Sequence, residues 1–569
     1  MKVTDYIVEF FIEKGITDIF GYPGGVICHL IDSVTKYPDI QVHTNYHEQA
    51  SAFAACGFAQ ETNGVGVAFS TSGPGATNLI TGIANAYFDS IPTMFFTGQV
   101  DTYGLKGNLP VRQRGFQETD IVSMVKSITK YAVCVEDPIN IKYELEKAYA
   151  IATQENPGPV LIDLPADVQR AEIEVEVCRE YKPQNTLKTD YETVISELNA
   201  ELRAAKRPCL LVGNGVKQAG MKNEIRKLIE TLNIPSVFSM PAFDTLDCDN
   251  ELNFGFIGAN GHRYANFVVG KSDLIIAIGT RMDCKQVGNN REAFASQAKI
   301  VRIDIDAGNL VHKVHKDEVQ YCIDLRDLIK NWNLSAEKSV SDEWTGVCRK
   351  LKDRLQGYDD EDYTKLLRAI CRKISDDTVI VADVGQSQVW LAQQLPVKKN
   401  QSVHMSGGLG TMGYSLPAAI GAYYGSRKPV VSFNGDGGIQ MNIQELQFLF
   451  REQLPIKVVI LNNRALGMIR GFQEANFNRN YSQTMEGCGY SAPDFGKIAA
   501  GYGLGSEGYI RIKDESDLEI LEHMPDGPVI IEVTMPVETS LNPNFGRNEL
   551  IQDQRPYLER DLFMKLMDL

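Results

Sequence analysis

The cysteines of this chain form no pattern. There are eleven, an odd number, scattered from Cys28 to Cys488 with no pair at CxxC spacing. That argues against a disulfide-stapled scaffold and predicts free thiols in a reducing cytoplasm. Cations are in short supply: 57 Lys and Arg stand against 73 Asp and Glu, a formal charge of −16 at pH 7. Sequence-independent binding to nucleic acid needs clustered Lys and Arg and is excluded. The acidic balance reads as a solvated surface that keeps the protein soluble. No apolar run approaches the ~18 residues of a membrane span, and no low-complexity segment or short-period repeat is present. The opening stretch, MKVTDYIVEFFIEKG, interrupts its apolar residues with Asp5, Glu9 and Glu13. It has the pattern of an amphipathic helix, not of a signal peptide. What remains is ordinary globular composition, 569 residues with 43% hydrophobic and 23% charged, enough for about three domains of roughly 150–200 residues.

Strand and helix patterns alternate along the chain. A helix over Val3–Lys14 leads to a strand ending at Phe20 and the turn GYPGG (Gly21–Gly25). VGVAFS (Val65–Ser70) is followed by the turn TSGPG, a helix from Ala76 and the strand TMFFTG. CLLVGNG, DLIIAIGT and KIVRIDID continue the alternation, as do TVIVADVG and GPVIIEVTM (Gly527–Met535) in the last third. This predicts an α/β protein of three doubly wound domains with mostly parallel sheets, and ligands at the strand-end glycine turns. Polar stretches at Glu180–Glu192 and Asn333–Glu343 read as linkers. The expected domains are residues 1–178, 190–334 and 355–540, with a tail over 541–569.

One stretch carries chemistry: SFNGDGGIQMNIQELQFLFREQLPIKVVILNN, Ser432–Asn463. Asp436 stands in a glycine turn at one strand's C-terminal end. Asn463 lies 27 positions on (463 − 436) at the end of a second strand. The βαβ crossover between them has the length a parallel pair needs, so both side chains point into one crevice. A carboxylate and an amide oxygen are a hard, partial ligand set of the kind that holds Mg²⁺, with phosphate oxygens and water completing the octahedron. The glycines let backbone N–H groups approach a diphosphate at a helix N-terminus. The alternative is an unrelated Asp-Gly turn and Asn-Asn turn. The GDG–gap–NN pattern resembles the thiamine diphosphate signature. Glu48, in NYHEQASAFAACGFAQ, sits at a strand end before a helix. A carboxylic acid kept in an apolar crevice suits the contact that thiamine's pyrimidine N1′ requires; the blander role is a first-turn helix residue. Met412, in SGGLGTMGYSLPAAIGA, is the candidate wedge beneath the cofactor's two rings, or else a core methionine.

Taken together, GYPGG, HEQASAFAACGFAQETNGVGVAFSTSGPGATNLITGIANAYFDSIPTMFFTGQV, FQETDIV, GPVLIDLPADVQ, DVGQSQVW, GLGTMGYSLPAAIGA and NNRALGM resemble the acetolactate (acetohydroxyacid) synthase branch of the thiamine diphosphate enzymes, in family order and as far as Met535. The resemblance implies a pyrimidine-binding, a central and a diphosphate-binding domain. It also implies a homodimer or homotetramer in which Glu48 of one copy serves the cofactor held by another. On the same footing, Asp436, Asn463 and the carbonyl of Ala465 are the Mg²⁺ ligands. Glu48, Phe116, Gln117 and Gly25 form the catalytic set. Gln386, Gly410, Met412, Gly435, Gly437, Gly438, Leu466, Gly467 and Met468 line the cofactor. The implied reaction is decarboxylation of a 2-oxo acid, pyruvate first of all, and addition of its two-carbon unit to a second carbonyl compound. VGNGVKQAG, GFIGANGHRYANF and RIDIDAGNL resemble segments that contact FAD in several such synthases; the alternative is ordinary glycine turns.

The departures concern the acceptor. Lys285, in GTRMDCKQ, stands where the family carries an acceptor-gripping Arg, and a point charge does not replace a bidentate fork. Ala166 replaces a lysine, and Phe472 stands for the tryptophan that narrows the acceptor pocket. An insert, DTYGLKGNLPVRQRG, brings Lys106, Arg112 and Arg114: a solvated loop surface, or a contact for a phosphorylated or nucleotide-linked acceptor. The tail SLNPNFGRNELIQDQRPYLERDLF is a lid or a surface helix. Two-carbon transfer to a keto-sugar or other ketone, and simple decarboxylation, stay open. So do an oxidoreductase built on the central domain and an inactive cofactor-binding module. The pyruvate decarboxylase type has an adjacent His pair near its site; none of the eight His are adjacent.

Overall fold

The computed structural model describes the chain except residues 184–189, 333–340, 506 and 547–548. Of the two expected linkers, those residues of Glu180–Glu192 and of Asn333–Glu343 lie outside what is described; the helix Asp342–Leu355 starts inside the second. Among the described residues no helix is long and apolar enough to cross a membrane.

Three six-stranded sheets form, every pairing parallel. The first contains β1 (Asp18–Gly21), β2 (Gln41–Thr44), β3 (Gly66–Ser70), β4 (Thr93–Gln99), β5 (Tyr131–Cys134) and β6 (Val160–Pro165), in the order 2-1-3-4-6-5. The second contains β7 (Pro208–Val212), β8 (Ser236–Phe238), β9 (Asn253–Phe256), β10 (Leu274–Ile278), β11 (Lys299–Asp304) and β12 (Val319–Cys322), in the order 12-11-10-7-8-9. The third contains β13 (Val379–Ala382), β14 (Ser402–Met405), β15 (Val430–Gly435), β16 (Ile456–Asn462), β17 (Tyr509–Ile512) and β18 (Val529–Thr534). Its order, 14-13-15-16-18-17, repeats that of the first sheet position for position. Central strands such as β3, β4, β6 and β10 are buried at every residue, which is why they read as continuous apolar runs.

The chain divides into two compact units: Met1–Gln184 with Asp377–Gln388 and Ser402–Val537, and Asn185–Asp376 with Val389–Gln401 and Glu538–Leu569. In the first unit the first and third sheets share one core, joined by the helices Glu48–Thr62 and Ser415–Ser426. Alanine and glycine dominate both helices, and this composition sets their distance. A Cβ at Gly57 would strike the carbonyl of Ala418, and one at Gly421 the carbonyl of Ala54. Gly66 and Gly82 meet the same helix at Ala55 and Ala52 just as closely.

In the second unit Arg263 is 2% exposed. It forks onto Asp359 at 2.6 and 2.7 Å and donates to the carbonyls of Gln554 and Pro556. Ile551, Leu558 and Leu566 of the tail enter that unit's core. The tail is therefore structural within this unit and ends in a packed helix, Arg560–Asp568.

Replacing Gly57 by Val should destabilise the first unit by about 1–3 kcal/mol, the usual cost of overpacking. Chemical denaturation of the two proteins checks this, and an unchanged midpoint would show that the helix pair can move apart freely.

Candidate active site

β15 and β16 are neighbours in register, Gly435 opposite Leu461, so Asp436 and Asn463 emerge side by side at their C-terminal tips. Asp436 is 2% exposed. Its Oδ2 accepts the Tyr490 hydroxyl at 2.9 Å, and its carboxylate also faces the Ala465 N–H. Burial pushes the Asp436 carboxyl up to about 6, against those hydrogen bonds. Among the described residues no cation pairs with it. Asn463 Oδ1 accepts the Ala465 N–H at 3.1 Å, and its Nδ2 donates to Gln386 Oε1 at 3.1 Å. Asn462 faces elsewhere: its Nδ2 donates to Glu532 and its Oδ1 accepts the Arg464 N–H.

The floor of this crevice tolerates no side chain. A Cβ at Gly437 would stand 2.6 Å from Leu466 Cδ2 and 3.5 Å from Met412 Cε. One at Gly438 would strike Asp383, and one at Gly467 would strike Gln386 and lie 2.9 Å from Asn463. Glycine is required here by close approach. Gln386, Met412, Asp436, Asn463, Ala465 and Leu466 thus meet around three glycines. Gly435 has open space toward Ser387, and Gly410 adopts φ 72°. Met468 and Phe472 sit on the helix Gly467–Asn476, 42% and 54% exposed.

The first sheet has a comparable crevice. Glu48, the first residue of its helix, is 8% exposed, and its Oε2 accepts the Asn78 amide at 2.9 Å. A Cβ at Gly75 would lie 3.1 Å from Glu48 Oε1, and one at Gly73 would lie 3.3 Å from the Gln117 carbonyl. Gly24, rather than Gly25, takes the tight contact with Thr71; around Gly25 there is room. The buried hydroxyl of Ser72 has no partner among the described residues. Phe116 is 87% exposed, and Gln117 holds φ 64°. Among the described residues the hydrogen bonds of Glu48 and those of Asp436 share no residue. Lys285 is exposed on the second unit, where its carbonyl accepts the Ala259 N–H at 2.7 Å.

Three residues of these crevices escaped sequence reasoning. Tyr490 comes from an irregular stretch 54 positions from Asp436 and carried no signal. Asn78 lay inside a helical pattern. Asp383 could have been found, as an acid ending the strand of TVIVADVG. Its buried carboxylate accepts the N–H groups of Val384, Gly413 and Tyr414, and burial pushes it up to about 7. It thereby sets the turn that presents Met412.

The donor set suits one hard cation. Among the described residues no group of three His, Cys, Asp or Glu could hold a metal. The crevice instead offers one carboxylate, one amide oxygen and the Ala465 carbonyl, and the lone buried carboxylate calls for positive charge. The glycines leave their main-chain N–H groups uncovered by side chains of their own, the kind of backbone a diphosphate approaches. In the second unit the turn 258–261 is already bonded within the chain. Gln554 donates to the carbonyls of Ala259 and Gly261, Gln393 donates to that of Asn260, and the Asn260 amide donates to Pro543.

Comparison with known proteins agrees with this geometry. Residues 1–124, 195–331 and 383–533 match the N-terminal TPP binding, central and C-terminal TPP binding domains of the thiamine pyrophosphate enzymes. The acetolactate synthase large subunit of Lactococcus lactis subsp. lactis is 34% identical over 93% of this chain and 91% of its own length. A probable acetolactate synthase large subunit of Methanocaldococcus jannaschii is 36% identical over 92% and 91%. Acetolactate synthase isozyme 2 large subunit of Escherichia coli is 32% identical over 94% and 96%.

Proposed function

Because this chain belongs to the thiamine pyrophosphate enzymes, we propose that it decarboxylates a 2-oxo acid, pyruvate first of all, and joins the two-carbon unit to a second carbonyl compound in the manner of an acetolactate synthase. The observation that carries this reading is the convergence of Asp436 and Asn463 beside three close-packed glycines at the tips of β15 and β16. Bound thiamine diphosphate would supply the electron sink that lets the 2-oxo acid lose CO₂ and its carbon attack a carbonyl.

The chain's own residues do the rest. Asp436, Asn463 Oδ1 and the Ala465 carbonyl would hold Mg²⁺. Tyr490, itself bonded to Gln440 at 3.4 Å, fixes the Asp436 carboxylate by donating to it. Gln386 orients Asn463 through its amide. Met412, beside Gly437, is placed to support the rings. Glu48 would exchange or share its Asn78 contact with the pyrimidine nitrogen and keep a proton there. In this reading, as the family resemblance implies, Glu48 of one copy serves the cofactor held at Asp436 of another, in a homodimer or homotetramer. FAD stays an open possibility of this reading, and no step here involves it. Eleven free thiols fit a reducing cytoplasm.

Dialysed protein should release CO₂ from pyruvate only when thiamine diphosphate and Mg²⁺ are returned. Absence of CO₂ in every condition would favour an inactive module; CO₂ with an aldehyde as sole product would favour a simple decarboxylase. Glu48→Gln should lower turnover about 10²–10⁴-fold, the range of a lost acid–base group, with thiamine diphosphate still bound in calorimetry. Unchanged turnover removes Glu48 from the mechanism. Asp436→Ala should release the cofactor on dialysis in the presence of Mg²⁺, whereas full retention places the metal elsewhere.

A further inference from the structure

The segment between β4 and Glu118 is longer than a connection requires, and it is built rather than loose. At its start the Thr102 N–H donates to both oxygens of Asp167, at 3.0 and 3.1 Å, and its hydroxyl donates to the same carboxylate at 2.5 Å. Asp101 pairs with Arg170 at 2.8 Å. At its end one buried acid holds the backbone: Glu118, 8% exposed, accepts the Lys106 N–H at 2.5 Å and the Arg114 N–H at 2.7 Å. Burial raises the Glu118 carboxyl, but these N–H groups and that of Gly115 hold it below the ordinary range. Within the clamped segment Gln117 holds φ 64°, a left-handed conformation that costs a non-glycine residue on the order of 1–3 kcal/mol.

Three cations stand on this frame, and among the described residues none forms an ion pair with a carboxylate. Lys106 and Arg112 make no side-chain bond, and Arg114 donates only to the Leu105 carbonyl at 3.2 Å. The acid inside the loop, Glu118, binds backbone N–H groups and feels the charge of Lys106, but reaches neither arginine side chain. In a chain of charge −16, two arginines without an ion pair, beside a lysine whose charge only Glu118 meets, make this loop an anion site in waiting. Tyr103, Leu109, Val111 and Phe116, at 72, 52, 47 and 87% exposure, surround them with apolar surface. The loop also touches the Glu48 crevice. Gln117 lies against Gly73, and Gly75 against Glu48. Arg114 is three residues from Gln117, at most about 10 Å of chain.

We propose that this loop receives a phosphate or diphosphate carried by the acceptor at a distance from its reacting carbonyl. The inference rests on the carboligase reading above and names its acceptor class. Pyruvate as acceptor has its charge on the atom next to the carbonyl and would leave these cations unused. A keto-sugar phosphate or a nucleotide-linked keto-sugar spans the gap, with the exposed aromatics against the sugar or base. Charge-assisted hydrogen bonds from Arg112 and Arg114 to phosphate oxygens are of the strong, bidentate kind.

The test supplies the full-length protein with pyruvate and a matched set of acceptors: one keto-sugar free, as its phosphate, and as its nucleoside diphosphate conjugate. Ligated product is identified by mass spectrometry. We expect kcat/KM for one or both charged acceptors to exceed that of the neutral sugar at least tenfold. The member preferred tells phosphate from nucleotide recognition. In Arg112→Glu/Arg114→Glu that ratio should fall at least tenfold, while Arg112→Lys/Arg114→Lys should keep part of it. UDP binding, measured by calorimetry without turnover, should weaken by the same order in the charge-reversed variant; a thermal melt checks that the variant is folded. Equal rates for charged and neutral acceptors, or a ratio and UDP affinity unmoved by charge reversal, overturn the inference while carboligation stands. Failure of the wild type to release CO₂ from pyruvate overturns the carboligase reading itself, and UDP binding alone then decides whether the loop takes anions.

Discussion

Everything in the first unit depends on two helices being allowed to touch backbone to backbone. Glu48–Thr62 and Ser415–Ser426 approach so closely that a methyl group at Gly57 or Gly421 would enter a carbonyl of the other helix. Such contact needs small residues along the whole seam, which is why EQASAFAACGFAQET and SLPAAIGAYYGS contain so few large side chains there. The contact joins two sheets of identical strand order into one core. It also fixes the first residue of one helix, Glu48, and the turn just before the other, which carries Met412. Packing density thus sets the position of chemistry.

A second device recurs around the crevices. Buried carboxylates hold loops chiefly by accepting N–H groups rather than by forming ion pairs. Asp383 gathers Val384, Gly413 and Tyr414 and so shapes the Met412 turn. Glu118 gathers Lys106 and Arg114 and shapes the basic loop. Glu445 accepts from the Asn45 amide and the Tyr46 N–H and ties the third sheet's helix to the tip of β2. Burial raises Asp383 and Glu445 to about 7, so both carry a desolvation cost that the N–H dipoles offset only in part. Asp436 is in the same electrostatic situation, raised to about 6 by burial against its hydrogen bonds, and it faces the crevice that an external positive charge can enter.

The candidate site was legible where its logic was local. A strand followed by Gly-Asp-Gly, a crossover of the right length and an Asn pair place Asp436 and Asn463 at adjacent tips without knowledge of any other residue. Glu48 was legible for the same reason, as an acid where a strand gives way to a helix. Tyr490 and Asn78 were not, because their contacts join segments with no common periodicity. The tail was open between lid and surface element. Arg263 decides its place by binding the carbonyls of Gln554 and Pro556, and a pairing 291 and 293 residues apart leaves no trace in either segment.

The sequence by itself determined the alternation of strands and helices, the parallel sheets and the glycine-marked tips, since all of these follow from side-chain period and backbone freedom over a few residues. Tertiary structure alone decided which amide of Asn462 and Asn463 faces the crevice, which acids lose their water, and whether Lys106, Arg112 and Arg114 find partners. Those outcomes depend on what other segments bring within about 3 Å, the range over which a hydrogen bond forms, and distance in space is not written in distance along the chain.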